Sequence, residues 1–141
     1  MFAATKNFAQ NYATVGVETG VAAASPHKLI LMLFDGAILA LSSATTHMAE
    51  HNINEKGRSI SKAIDIIING LRASLDLEVG GELAERLYAL YDYMSARLLH
   101  ANLHNDAAAI EEVSRLLGEL KAAWEEIADD PAVVSANRAA A

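Results

Sequence analysis

The chain has 141 residues, no cysteine and a formal net charge of −7, from 18 acidic and 11 basic side chains. This length is typical of one domain with a sizeable core, and the negative charge argues against nucleic acid or an anionic membrane surface as the main partner. Without cysteine, the chain can form no disulfide framework, thiol nucleophile or cysteine metal site, which fits a reducing cytoplasm.

Residues 1–24 carry scattered apolar side chains with no helical period, amid Ala, Thr, Asn and Gly. We therefore predict an extended N-terminal segment that docks on the rest of the chain through Phe8, Tyr12, Val15 and Val17. The segment lacks the basic region, apolar run and cleavage site of a secretion signal, so we expect a soluble cytoplasmic protein. Whether the segment is a displaceable lid or a permanent part of the core remains open at this point.

The first predicted helix runs from Pro26 to about residue 50, with Ser25 as its cap. Its stretch Leu29–Leu41 contains one charged residue, Asp35, and is too short to cross a membrane. The helix is more apolar than a bundle helix needs, because one stripe is filled and further apolar residues remain outside it. These residues need a cover, and three covers are open: other helices of the same molecule, the N-terminal segment folded back, or a partner chain. The candidates for a binding surface are Ile30, Leu31, Phe34 and Ile38.

The second predicted helix runs from about Glu55 to Leu75 and also carries surplus apolar residues, among them Ile66. The sequence Val79-Gly80-Gly81 should break the chain, and a third helix should begin near Glu82. Its inner face should include Leu83, Leu87, Leu90, Met94, Leu98 and Ala101. This helix carries three tyrosines. We expect Tyr91 in the core and also include it among the candidate binding residues, whereas Tyr88 and Tyr93 are expected at the rim.

The fourth predicted helix runs from Ala107 to about Ile127, with Asp106 as its cap and a narrow apolar seam. Residues 130–141 are predicted to be a disordered tail. Four helices joined by short connections predict an all-α fold over residues 25–129, an antiparallel up-down-up-down four-helix bundle.

No pattern in the sequence favours an enzyme, because no phosphate loop, nucleophile elbow or paired inward carboxylates occur. His47 and His51 should lie near the end of helix one, and His100 and His104 near the end of helix three, so that all four could meet at one end of the bundle. Histidine near a helix C-terminus already interacts favourably with the dipole, and we predict no metal and no other cofactor. A histidine phosphotransfer bundle is disfavoured, since no histidine is at a mid-helix position. Asp35 is expected on an outward edge.

Several local strings, in order and with matching spacing, resemble the flagellin-specific secretion chaperone family, FliS. The resemblance covers more than four-fifths of the chain, and one departure is Phe34, where the family often has tyrosine. The strings are Tyr12, Val15–Thr19, Ala24–Ala37, Leu75–Ala84, Leu90–Met94, Leu98-Leu99 with Ala101-Asn102, and Ala123–Ile127.

The resemblance implies a cytoplasmic chaperone that binds the disordered C-terminal region of flagellin, prevents its premature polymerisation and helps deliver it to the export apparatus. It also implies contact of the chaperone–client complex with the flagellar export gate protein, and an N-terminal segment that occupies the client's groove. A weak homodimer of the free protein stays open. The alternative function is a generic helical adaptor that binds another protein without flagellin specificity.

Overall fold

The computed structural model describes residues 24–140, and this part of the chain is helical with no strand, so the all-α prediction is confirmed. The predicted lid residues Phe8, Tyr12, Val15 and Val17 lie outside the described residues. The helices are α1 (Pro26–Ala49), α2 (Ile53–Asp65) with a π-helical continuation (Ile66–Arg72), α3 (Leu77–His104), α4 (Ala107–Glu126) and α5 (Pro131–Ala140).

Side-chain caps fix where the helices begin. Ser25 Oγ accepts a hydrogen bond from the Lys28 amide at 3.1 Å, and Pro26 fills the first position of α1, as predicted. Asn52 caps α2, which therefore begins at Ile53, two residues before the predicted start. Asp106 caps α4 through the Ala109 amide at 3.2 Å. Each cap satisfies an amide that the helix itself leaves without a partner.

The predicted break before the third helix is present, but it lies inside α3. Asp76 caps a first helical turn, and the backbone then leaves helical geometry at Gly81, where φ is 55° and ψ is −134°. Gly80 is needed for a different reason, because a Cβ at this position would lie 2.6 Å from the Cβ of Ala84. In the first turn after Gly81 the structure buries Ala84, whereas Leu83, predicted on the inner face, is exposed.

The core is formed by α1, α2 with its π-helical continuation, α3 and α4. Within the described residues α1 lies alongside α2, α4 and α5, and α3 lies alongside α2 and α4, whereas the backbones of α1 and α3 do not come close to each other. The largest fully buried side chains are Leu41, Ile60, Ile67, Leu71, Met94, Leu98, Ile110, Val113 and Leu117.

Helix α1 is 24 residues long, longer than its uninterrupted apolar run, and by length and composition it could cross a membrane. It is the one such helix among residues 24–140. A core helix of a soluble protein passes the same test, and α1 places Leu33, Ala37, Leu41 and Ala44 in the core.

The prediction of a disordered tail over 130–141 is wrong for most of that segment, because Pro131–Ala140 form α5. Asp130 Oδ1 accepts a hydrogen bond from the Ala132 amide at 2.9 Å, and Pro131 occupies the first helical position. Helix α5 contacts α1, and Asn137 Oδ1 accepts a hydrogen bond from the His27 amide at 3.4 Å. A start signal and a surface to pack on explain why this alanine-rich stretch is helical.

Candidate functional site

Two of the predicted surface residues lie where α1 meets α4. Asp35 Oδ1 is 2.7 Å from Lys121 Nζ of α4, so this side of α1 faces α4. Leu31 and Ile38 lie four residues before and three residues after Asp35, on the same helix face. Both are half-buried. We call this set, Leu31, Asp35, Ile38 and Lys121, the α1–α4 border.

The charges of the α1–α4 border are paired across the two helices. The hydrogen bond from Lys121 to Asp35 raises the pKa of the Lys121 ammonium group, with Glu125 adding to the effect. Asp35 is exposed, as predicted, and its partner is within the chain. An apolar segment that lay on the border would therefore meet aliphatic side chains beside a neutralised pair of charges rather than a free carboxylate.

Three other predicted surface residues lie inside the core. Phe34 and Ile66 are 3% exposed and Tyr91 is 4% exposed, and all three belong to one buried cluster. Burial raises the pKa of the Tyr91 hydroxyl well above its usual range. The apolar surplus in the sequence arises partly because α1 lies against three other helices and α2 against two. Several contacts require a wider apolar stripe than a single contact does. Ile30 is half-buried against the same core.

The structure exposes apolar side chains that the sequence interpretation did not assign to a surface. Leu39 of α1 is 68% exposed, and Leu99 and Leu103 of α3 are exposed over more than half of their surface. Leu99 and Leu103 lie four residues apart and so share a helix face. The exposure of Leu99 and Leu103 could have been predicted from the sequence, because both residues lie off the α3 stripe that contains Met94 and Leu98.

The tyrosines of α3 are placed as predicted, with Tyr91 in the core and the other two nearer the surface. Tyr93 donates a hydrogen bond to Glu112 at 2.7 Å, and Arg97 donates to the same carboxylate at 2.8 Å. These two donors lower the pKa of Glu112, the Tyr93 hydroxyl foremost. Tyr88 lies under the Arg72 guanidinium, 4.8 Å from the ring centre. The rim of α3 is thus tied to α2 and α4 by polar contacts.

The histidines predicted at one end of the molecule are found near the C-terminal ends of α1 and α3. The rings of His100 and His104 lie 4.7 Å apart, and His100 Nε2 is 3.2 Å from Asp106 Oδ2. Within residues 24–140 no group of three or more His, Cys, Asp or Glu side chains is arranged to hold a metal ion. What the described surface can do chemically is bind apolar and hydrogen-bonding groups.

Comparison with known proteins gives a consistent result over most of the chain. The family model described as flagellar protein FliS matches residues 8–131. The flagellar secretion chaperone FliS of Salmonella typhimurium is 56% identical over 116 residues, covering 82% of this chain and 86% of that relative. The FliS of Escherichia coli is 50% identical over 125 residues, covering 89% and 92%. The FliS of Bacillus subtilis is 31% identical over 117 residues, covering 83% and 86%.

Proposed function

The chain belongs to the flagellar protein FliS family, and from this we propose that it is a cytoplasmic export chaperone for flagellin. In this proposal it binds the disordered C-terminal region of flagellin, prevents premature polymerisation and assists delivery to the flagellar type III export apparatus. The complex then contacts the export gate protein. It acts by binding rather than as an enzyme, inserts in no membrane and binds no nucleic acid. A weak homodimer of the free protein remains compatible with this role.

The observation that carries the proposal is the family match over most of the chain, since the curated relatives are named flagellar secretion chaperones. The apolar side chains left at the surface support it. A disordered segment that folds on binding must bury enough apolar area to offset its loss of conformational entropy. The half-buried Leu31 and Ile38 and the exposed Leu39 offer such area on one helix.

We also propose that α1 to α4 form an antiparallel up-down-up-down bundle. The start of α1 meets the end of α4, because Trp124 Nε1 donates a hydrogen bond to the His27 carbonyl oxygen at 3.0 Å. The start of α2 meets the end of α3, because Lys56 Nζ donates to the Asn102 carbonyl oxygen at 3.0 Å. Both contacts are those expected of antiparallel neighbours in such a bundle, α1 with α4 and α2 with α3.

The client surface in this proposal is the α1–α4 border, with Leu31 and Ile38 in direct contact and Ile30 beside them. Because Phe34, Ile66 and Tyr91 are buried, we assign them the role of supporting that surface from beneath. The N-terminal residues Phe8, Tyr12, Val15 and Val17 act as a lid that competes with the client for the surface.

The first test is calorimetric titration of the protein with a peptide of the flagellin C-terminal region from the same genome. We expect one-to-one binding and a gain of helix on mixing. Leu31→Asp should weaken binding about tenfold or more, because a charge replaces an apolar contact. The matched control is Leu99→Asp, the same change at an exposed leucine of α3, whose backbone does not come close to α1 within the described residues. Absence of binding by the unmodified protein would favour the generic adaptor.

The lid is tested separately by deleting residues 1–20. Removing a competitor should raise client affinity or speed association, and should leave the free protein more prone to self-associate. Unchanged binding by a bundle that stays monomeric and soluble would show that this segment is no lid. Circular dichroism of the shortened chain controls for loss of fold.

A further inference from the structure

The end of the molecule opposite α5 contains a cavity of about 290 Å³. The cavity lies where α1 ends, α2 begins and Asn105 follows α3. Its polar lining is His47, His51, Asn52, Lys56 and Asn105, and its apolar lining is Met48 and Ile53. Neither Asp nor Glu lines it.

Lys56 is the unusual member of this lining, because its side chain is buried at 4% exposure. Its ammonium group donates to the Asn102 carbonyl oxygen at 3.0 Å and to Asn105 Oδ1 at 2.5 Å. Both acceptors are uncharged, and within residues 24–140 no carboxylate pairs with Lys56. Carbonyl oxygens at the C-terminal end of α3 offset the charge only in part. A buried charge normally has a counter-charge, and this one has a third N–H for another acceptor.

The other polar groups around the cavity also present donors. Asn52 Oδ1 already accepts from the Glu55 amide, and Asn105 Oδ1 already accepts from Lys56, so each asparagine keeps its amide NH₂ group for a ligand. His47 Nδ1 is buried and has no hydrogen-bond partner in the described structure. Three acids adjoin lining residues in sequence, and none of them lines the cavity. Glu50 is exposed, Glu55 pairs with Arg58 at 2.9 Å, and Asp106 is engaged by the Ala109 amide and by His100. Several donors and a buried cation, with no carboxylate in the lining itself, form a setting suited to an oxyanion.

We propose that this cavity binds a carboxylate group, and that the free C-terminal carboxylate of the polypeptide client supplies it. The identity of the client rests on the proposed function. A terminal residue carries its carboxylate and its side chain on the same Cα, which fits a cavity lined both by hydrogen-bond donors and by the apolar Met48 and Ile53. Terminal carboxylates are recognised in this way by clustered donors in other peptide-binding proteins. The cavity is small for a drug-sized ligand, which fits one chain end rather than a helix.

The test compares two synthetic peptides of the flagellin C-terminal region, one ending in the native carboxylate and one in a carboxamide. On the unmodified protein, calorimetry should find the carboxamide peptide about tenfold or more weaker, the scale of one lost charge-assisted hydrogen bond. On Lys56→Met, which keeps the aliphatic stem and removes the charge, the two peptides should bind equally. Lys62→Met, at an exposed lysine of the same helix, should keep the difference. Equal binding of both peptides to the unmodified protein overturns the proposal without reference to any variant.

A separate measurement distinguishes failure of this site from failure of the proposed function. Acetate, added to the isotope-labelled protein without client, should shift the NMR signals of the Asn52 and Asn105 side-chain amides in unmodified protein and not in Lys56→Met. If neither peptide binds, the client assignment is wrong, and the acetate shifts then decide whether the cavity takes a carboxylate. If the peptides bind and acetate shifts neither signal, the carboxylate site is refuted while the chaperone function stands.

Discussion

His27 and Lys56 are the two polar side chains that are buried within residues 24–140, and they lie at opposite ends of the molecule. At the α5 end, the His27 ring stacks on Trp124 with the ring centres 4.7 Å apart, and neither ring nitrogen has a hydrogen-bond partner in the described structure. At the Lys56 end, the ammonium group has two oxygen acceptors and borders an open cavity.

The difference shows two ways of burying a polar group. At the α5 end the backbone of His27 carries the hydrogen bonds, to Trp124 and Asn137, and the ring is held by stacking. This end is closed by the chain itself. At the Lys56 end the side chain carries the hydrogen bonds and part of its donor capacity is left. We therefore expect the α5 end to depend mainly on packing and the Lys56 end mainly on polar contacts.

Trp124→Ala should have the largest effect on stability. It removes the ring stack on His27 and the hydrogen bond to the His27 carbonyl oxygen, and we expect the free energy of unfolding to fall by about 2–4 kcal/mol. Urea unfolding followed by circular dichroism measures it. Trp124→Phe keeps a ring to stack and should cost about 1 kcal/mol, chiefly the lost hydrogen bond. Equal losses for both variants would show that packing does not dominate this end.

Lys56→Ala should have the next largest effect. It leaves Asn105 Oδ1 and the Asn102 carbonyl oxygen without their donor, and we expect a loss of about 1–3 kcal/mol in the free energy of unfolding. Lys62→Ala, an exposed lysine on the same helix, should change stability by no more than about 0.5 kcal/mol. The comparison would fail if the two variants unfolded at the same urea concentration.

Asn137→Ala should weaken the α5 end by a smaller amount. The hydrogen bond that Asn137 accepts from the His27 amide is long, at 3.4 Å, so we expect a loss of about 0.5–1 kcal/mol. Ser135→Ala, at an exposed position of the same helix, is the control, and thermal unfolding of both measures the difference. A loss no larger than that of the control would mean that this contact does not hold α5 against α1.

Asp106→Asn should change the pH dependence of stability and little else. The hydrogen bond from the Ala109 amide lowers the pKa of Asp106 below its ordinary value of 3.8, with His100 contributing. A carboxyl group with a lowered pKa in the folded state stabilises the protein above its unfolded pKa, and this contribution is lost as pH falls through the folded pKa. Asparagine caps a helix about as well as aspartate, so stability near neutral pH should hardly change.

Urea unfolding at several acidic pH values measures how steeply the free energy of unfolding depends on pH. We expect stability to fall less steeply below about pH 4 in Asp106→Asn than in the unmodified protein. Identical slopes would show that the cap at the Lys56 end does not couple to acid unfolding.

Sequence reasoning located features that depend on neighbouring residues. The caps at Ser25 and Asp106 and the burial of Tyr91 follow from local spacing, and the structure agrees. The break at Gly81 was also readable, because two adjacent glycines are strong helix breakers. For α5 the signals were present in Asp130 and Pro131. A proline at this position is compatible both with the end of the preceding helix and with the first position of a new one, and local sequence does not decide between the two.

Other features depend on partners distant in sequence. Lys56 lies on the apolar stripe of α2, but its acceptors are 46 and 49 residues away, so its burial could not be derived from α2 alone. Periodicity showed that α1 has more apolar residues than one face needs. It could not show that Phe34 would be buried while Leu31 would remain half-buried, because that depends on which helices lie alongside.

The stack of His27 on Trp124 gives the protein an intrinsic optical reporter. Trp124 is the only tryptophan of the chain, so its emission comes from one known place, between the start of α1 and the end of α4. Any event that separates these helices exposes the Trp124 indole to water and shifts its emission maximum. Fluorescence can therefore follow the α5 end without a dye, and an unchanged spectrum during ligand addition would show that the ligand leaves the surroundings of Trp124 as they are.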